Sequence, residues 1–350
     1  MRRVTKLAAV LATVTLGLAA CGSSDSDTAT PVASGSSAAA KSDVKVGMAY
    51  DIGGRGDQSF NDSAALGLDK AKAEFGIEVK ELEADSSDTD SKKEERLRLL
   101  AQGGYNPVIA IGFAYAAPLG KVAKEFPDTK FAIIDDSSLK DTNVTSLVFA
   151  EEQGSFLVGT IAAQASKSKT IGFIGGVNVP LINKFEAGFT AGAKAVTPDI
   201  KVQVKYLTQP PNFDGFSSPD LGKTAAKGML DAGADVVYAA AGGSGSGVFD
   251  AAAAAKGLAI GVDSDQYKTA TAAVQPIILT SMLKRVDTAV YTMVKSVVDK
   301  APLTGIQTFD LKTDGVGYAT SNSIVEPFTA KADEFKAKII SGEITVPTTP

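Results

Sequence analysis

From Val44 onward the hydrophobic positions change period again and again. Short apolar runs of strand length alternate with longer stretches in which apolar residues recur every three or four positions. The runs predict strands at Val44–Asp51, Val79–Glu83, Val108–Gly112, Phe131–Asp135 and Val144–Ala150. The longer stretches predict helices at Asp62–Phe75, Ser91–Gln102 and Ala116–Phe126. Strands that alternate with helical patterns of about 10–15 residues mark βαβ units and a parallel sheet.

The same rhythm then restarts. Helices are predicted at Gln153–Ser166, Leu181–Val196, Leu221–Ala232, Gly247–Lys256 and Val286–Asp299. Strands are predicted at Thr170–Gly175, Val202–Leu207, Val236–Ala241, Ala259–Asp263 and Ile277–Met282. The tail adds short strands near Phe309–Lys312 and Val316–Ala319 and a helix near Ala330–Ile340. Strand, Gly-bearing loop and helix occur at Val46–Phe75 and again at Ile171–Val196, with Gly53-Gly54-Arg55-Gly56 and Gly175-Gly176 as the two loops. Two α/β domains with doubly wound parallel sheets are therefore expected, hinged around a ligand. The first domain takes residues 43–150 plus part of 264–310. The second takes 151–263 plus part of 311–350.

Residues 1–20 stand apart from this pattern and read as a signal peptide. Arg2, Arg3 and Lys6 precede an apolar run, Leu7–Ala20, that is too short for a stable bilayer span. The one cysteine of the chain follows at once, in Leu18-Ala19-Ala20-Cys21. This arrangement resembles a bacterial lipobox, which implies cleavage before Cys21 and lipidation of its sulfur. The plain alternative is a cleaved leader with an incidental Cys. Segment 21–42, rich in Ser, Ala, Thr and Gly, reads as a flexible tether. Such a chain is anchored through acyl groups on the extracytoplasmic face of the cell membrane.

Composition narrows the chemistry. The 350 residues contain no His, no Trp and one Cys. Histidine-based triads and dyads, His metal sites, disulfide frameworks and thiolate zinc sites are all excluded. Without residues 1–20 the chain carries 32 Lys and Arg against 40 Asp and Glu, a net charge of −8. That balance argues against a nucleic-acid partner, whose phosphates need clustered cations. No run resembles a calcium loop, so no metal is expected. No cofactor is expected either: the Gly-rich loops lack the third Gly of the dinucleotide fingerprint.

In open α/β sheets ligands bind beyond the carboxyl ends of the strands. Those ends carry Asp51, Asp135, Asp263 and Lys284, with Gly242 opening a Gly-Ser-rich loop. A single Asp in such a place is most often a helix cap or turn former, and Asp62 and Asp265 fit that role. Asp51 and Asp263 fit it less well, because each precedes a loop rather than a helix. Phe60, beside Asn61, stands between a strand and a helix, and Phe213 and Phe216 stand on a Pro- and Gly-rich loop. Two loop rings facing one cleft can clamp a flat ring, and carboxylates can accept bonds from ribose hydroxyls. Together these features point to a nucleoside.

Several segments, in order, resemble the basic membrane protein family of ABC-importer substrate-binding lipoproteins, which is similar to purine nucleoside receptors. They are Val46-Gly47-Met48-Ala49-Tyr50-Asp51-Ile52-Gly53-Gly54-Arg55-Gly56-Asp57-Gln58-Ser59-Phe60-Asn61, Phe131–Asp135, Ile171–Gly176, Gly233–Gly243 and Ile260–Gln266. The resemblance implies a type I periplasmic-binding-protein fold, a monomer that carries a purine nucleoside to ABC permease subunits. It implies a base- or ribose-binding carboxylate at Asp51 and a stacking ring at Phe60 with Asn61 beside it. It also implies a carboxylate at Asp135, a second ring at Phe216, backbone approach at Gly242, and ribose contacts from Asp263 and Lys284. Two departures stand out: Phe213 could replace Phe216, and Gly112–Ala117 lacks the polar pair of relatives. A sugar or autoinducer receptor on the same fold is the alternative. A nucleoside hydrolase is a third reading, kept open by the clustered Asp residues.

Overall fold

The computed structural model describes residues 42–84 and 88–350. The leader, Cys21 and all but the last residue of the 21–42 segment lie outside them. Among the described residues no helix is long and apolar enough to cross a membrane.

Two α/β lobes carry one six-stranded sheet each. The first holds β1 (Lys45–Ala49), β2 (Glu78–Leu82), β3 (Val108–Ala110), β4 (Phe131–Ile134), β5 (Val144–Phe149) and β11 (Gly305–Phe309). Its order is β11-β5-β4-β3-β1-β2, with every pair parallel. The second holds β6 (Thr170–Val177), β7 (Lys201–Thr208), β8 (Val236–Ala240), β9 (Leu258–Asp263), β10 (Ile278–Lys284) and β12 (Val316–Tyr318). Its order is β12-β10-β9-β8-β6-β7, parallel except for the antiparallel β12. The first ten strands thus follow the same order twice, and the repeat inferred from periodicity is real.

Central strands are buried on both faces, so they read as unbroken apolar runs rather than alternations. In β1, Val46 and Met48 enter one core cluster while Ala49 enters another with Leu97 and Leu100. The edge strands β2 and β7 are half-exposed and carry Lys, with Glu as well in β2, which blunts edge-to-edge pairing. Helices α1 (Phe60–Phe75), α2 (Asp90–Gln102) and α3 (Ala116–Glu125) serve the first sheet. Helices α4 (Glu151–Ala165), α5 (Pro180–Val196), α6 (Pro219–Asp231), α7 (Gly245–Ala255) and α8 (Gln266–Thr269) follow. Helix α9 (Val286–Val298) leaves the second sheet and packs on α1, and α10 (Glu326–Ile340) packs on α4. The chain therefore passes between the sheets three times: after β5, after β10 and after β11.

Three details correct the sequence reading. The strand expected at Phe309–Lys312 is Gly305–Phe309. Asp310 ends it, because its carboxylate accepts the Thr313 N–H at 2.9 Å and its carbonyl accepts the Gly315 N–H at 2.8 Å, closing a turn. Gly175 and Gly176 form no loop; they lie inside β6, where bare backbone admits aromatic rings. A Cβ on Gly175 would sit 2.7 Å from the Tyr206 ring, and one on Gly176 would sit 2.4 Å from the Phe216 ring. Lys284 does not follow its strand but ends it.

Helices α4 and α5 touch backbone to backbone. Cβ atoms on Gly159, Gly188 and Gly192 would lie 2.2, 2.1 and 2.0 Å from the carbonyl oxygens of Phe189, Glu152 and Phe156. Gly192→Ala should therefore lower stability by about 1–3 kcal/mol through overpacking. Gly228→Ala, in helix α6 with open space around its Cβ position, should raise it by about 0.5–1 kcal/mol through helix propensity. Urea unfolding of both variants measures the pair, and equal effects would contradict the contact.

Candidate ligand-binding site

The loop after β1 is built around one side chain, Asp57. Its Oδ1 accepts the N–H groups of Ser59 at 2.9 Å and Asp62 at 3.1 Å. Its Oδ2 accepts the Asn61 N–H at 2.8 Å and the Asn61 amide at 3.0 Å. Asn61 in turn accepts the Asp51 N–H at 3.1 Å and donates to the Ile52 carbonyl at 3.3 Å. This mesh holds Asp51 and Phe60 at a fixed separation across the loop. Asp62 does not cap a helix: it lies in the first turn of α1 and accepts the loop N–H groups of Gly56 and Gln58 at 2.7 and 2.9 Å. Asp265 holds the cap position of α8 without a capping bond; its carboxylate takes the Ser321 hydroxyl and pairs with Lys268 instead.

The two sheets present matching ends. Asp135 follows β4 and Asp263 ends β9, the same strand of each repeat. Both adopt left-handed backbone, with φ of 69° and 63°. Asp tolerates that region better than most residues, because its short polar side chain bonds locally. Gly242, after β8, has φ of 53°, and a Cβ there would lie 2.9 Å from the Phe216 carbonyl oxygen. Glycine is required there on both counts. Phe216 is seated over Gly176, and its loop is fixed by Ser244, whose Oγ donates to the Gly215 carbonyl at 2.8 Å and accepts the Ser218 N–H at 2.8 Å.

These elements enclose a cavity with about 580 Å³ of empty volume, its mouth included. All eight residues expected at the site line it: Asp51, Phe60, Asn61, Asp135, Phe216, Gly242, Asp263 and Lys284. Sequence reasoning missed Asp57, Phe113, Leu181, Ile182 and Phe185, which line it too. Phe185 and its two neighbours form an apolar wall on the first turns of α5; their helical spacing reads as ordinary core. Of the two candidate rings on the second lobe, Phe216 lines the cavity. Phe213 instead meets Phe113 of the first lobe edge-on, with centroids 6.0 Å apart.

Electrostatics centre on Lys284. Its Nζ lies 2.5 Å from Asp135 Oδ2 and 3.6 Å from Glu151 Oε1, with all three side chains 4% exposed or less. The rings of Phe60, Phe149 and Phe185 surround it at 4.9, 5.1 and 5.7 Å, close enough for cation–π attraction. Burial works against the ammonium, but Asp135, Glu151 and Asp263 outweigh it and hold its pKa above the ordinary value. Burial pushes Asp51 and Asp263 up to about 6 and raises Glu151 as well, Lys284 only partly offsetting this for Asp263 and Glu151. Oδ1 of Asp135 is buried with no donor among the described residues. Carboxylates outnumber cations around the cavity. Such a lining suits a neutral ligand that donates hydrogen bonds and presents an apolar face. Among the described residues no group of three or more His, Cys, Asp or Glu is placed to hold a metal ion.

Comparison with known proteins decides the family. Residues 44–350 match the family described as ABC transporter substrate-binding protein PnrA-like. The chain belongs to this family. A relative from Lactococcus lactis, named ABC transporter nucleoside-binding protein BmpA, is 36% identical over 363 residues, 99% of each chain. An uncharacterized lipoprotein of Pyrococcus furiosus is 38% identical over 290 residues, 79% of this chain and 70% of its own. The crystal structure of an ABC transporter solute-binding protein from Aeropyrum pernix superposes with a TM-score of 0.75 at 31% identity, covering 87% of this chain and 93% of that one. The PnrA-like protein is thus an ABC transporter substrate-binding protein with the periplasmic solute-binding fold.

The raised carboxyl groups of this PnrA-like site set a pH dependence. A buried acid whose folded pKa lies above its unfolded value stabilises the fold fully below the unfolded pKa, and that contribution is lost as pH rises through the folded one. For Asp263 the window runs from about 4 to about 6. Asp263→Asn keeps the left-handed backbone and the acceptor, so without added ligand it should be more stable than wild type at pH 7.5, by on the order of 2 kcal/mol. The difference should shrink towards pH 4. Thermal melts across that range measure it; a variant less stable at pH 7.5 would reverse the sign.

Proposed function

We propose that this protein is a lipid-anchored receptor that takes up a purine nucleoside between its lobes and passes it to an ABC permease, with no reaction of its own. The observation that carries the reading is one cavity lined by Phe60 of the first lobe and Phe216 of the second, together with the strand-end carboxylates Asp51, Asp135 and Asp263. The rings take the two faces of the base. Asp51 and Asp135 accept from the donor groups of the ligand, and the unpartnered Asp135 oxygen supports this assignment. Asp263 and Lys284 hold the ribose hydroxyls, and Gly242 lets the backbone approach. Asn61 serves chiefly by holding Asp51 and the loop in place. The name of the Lactococcus lactis relative supports a nucleoside.

Calorimetry of the full chain with inosine tests the reading. Wild type should bind, and Phe60→Ala should bind about 1–3 kcal/mol more weakly through lost stacking. No binding of inosine by wild type would end the nucleoside assignment, and release of free base on prolonged incubation would make the protein an enzyme.

Anchoring through Cys21 belongs to the same proposal, supported by its lipobox-like setting and by the lipoprotein name of the Pyrococcus furiosus relative. Cys21→Ser should leave the protein uncleaved or released, because the acylated sulfur is gone. Fractionation after a high-salt wash measures this; a mature variant still held by the membrane would exclude the anchor.

A further inference from the structure

Ser59 occupies the position that opens helix α1, where a serine ordinarily turns its hydroxyl onto the N–H groups of its own helix. It makes no such bond. Asp57 has taken that role, accepting from the N–H groups of Asn61 and Asp62 as well as from Ser59 itself. Freed from capping, the Ser59 hydroxyl reaches into the other lobe. Its Oγ donates to Asp263 Oδ2 at 2.6 Å and lies 3.3 Å from the Val262 carbonyl oxygen. Ser264 returns the contact, its Oγ donating to the Ser59 carbonyl at 2.9 Å. Ser59 is fully buried and Asp263 nearly so.

Ser59 belongs to the first lobe, and Val262, Asp263 and Ser264 to the second. These bonds exist only while the lobes are in contact. Asp263 also lines the cavity, so the clasp and the candidate ligand carboxylate are one side chain. We infer that Ser59 is a positioning residue: it clasps the two lobes shut through Asp263 and fixes the direction in which that carboxylate faces the ligand. A hydroxyl donating to a carboxylate forms a short, charge-assisted bond. Its loss leaves a buried carboxylate short of one donor, which favours the open arrangement. The consequence falls on release of the ligand more than on its capture, because a ligand enters through the open arrangement, which lacks the clasp, and leaves only once the clasp has opened.

The test uses the full chain and the variants Ser59→Ala and Ser264→Ala. The inference rests on the nucleoside reading only in its ligand arm. Hydrogen exchange without added ligand should show faster exchange in Ser59→Ala over both 57–63 and 261–267, on opposite lobes, with distant segments unchanged. Inosine should dissociate about 10- to 100-fold faster from Ser59→Ala, with association within about threefold of wild type. Ser264→Ala, which removes only a neutral bond, should move both readouts in the same direction by a smaller factor. A Ser59→Ala protein that melts earlier yet keeps wild-type exchange over 261–267 has lost only local structure, and that result overturns the clasp. An unchanged inosine dissociation rate overturns it as well. Should wild type fail to bind inosine, the nucleoside reading falls, and the exchange arm alone still decides the clasp.

Discussion

A single buried ammonium sets the terms for the whole cleft. Lys284 ends a strand of the second lobe, Asp135 follows a strand of the first, and Glu151 opens the helix that leads the chain from one sheet to the other. Their charges are almost fully withdrawn from water. In that setting a charge without partners is far more costly than one on the surface. The ammonium therefore keeps its carboxylates close, and it can keep Asp135 only while the lobes are together. Glu151 also pairs with Lys184 on α5, which extends the network into the helix pair packed through glycines. Lobe closure, strand-end placement and helix packing are thus coupled through one side chain.

The fold was legible because its signals are local. Unbroken apolar runs give way to a 3.6-residue period at nearly every element boundary, and the repeat of strand and helix shows in that rhythm. What failed was punctuation. Gly175-Gly176 looks like a loop because glycine usually marks one, yet here the missing side chains make room for Tyr206 and Phe216 inside a strand. That demand comes from residues about 30 to 40 positions later, and no local rule contains it.

The site was legible to the extent that chemistry sits at strand ends. Asp51, Asp135, Asp263 and Lys284 stand out because charged residues closing apolar runs have no need to be there for folding alone. Asp57, Ser59 and Glu151 were opaque for the opposite reason. An acid or a serine just before or within the first turn of a helix already has an ordinary explanation. Their actual partners are set by tertiary structure: Asp57 gathers the loop, and Ser59 bonds to a residue 204 positions away. Phe185 was hidden in the same way, since an aromatic at helical spacing on α5 is indistinguishable from core until the cavity beside it is seen.

The internal repeat explains why such a site needs these exceptions. Duplicated lobes closing face to face bring equivalent strand ends together, so Asp135 and Asp263 arrive as like charges in one apolar space. Symmetry alone would make that closure unfavourable. The lobes depart from symmetry where the conflict must be resolved. Strand β10 ends in Lys284, whereas β5, at the same place in the other sheet, ends in Phe149. One lobe supplies the cation and the other an aromatic wall 5.1 Å from it. A single positive charge against three or more carboxylates leaves the cleft short of donors even when closed, as Oδ1 of Asp135, without a donor among the described residues, records. Whatever enters must bring hydrogen-bond donors without bringing further negative charge. A ligand of that chemistry therefore completes the hydrogen bonding of the closed cleft.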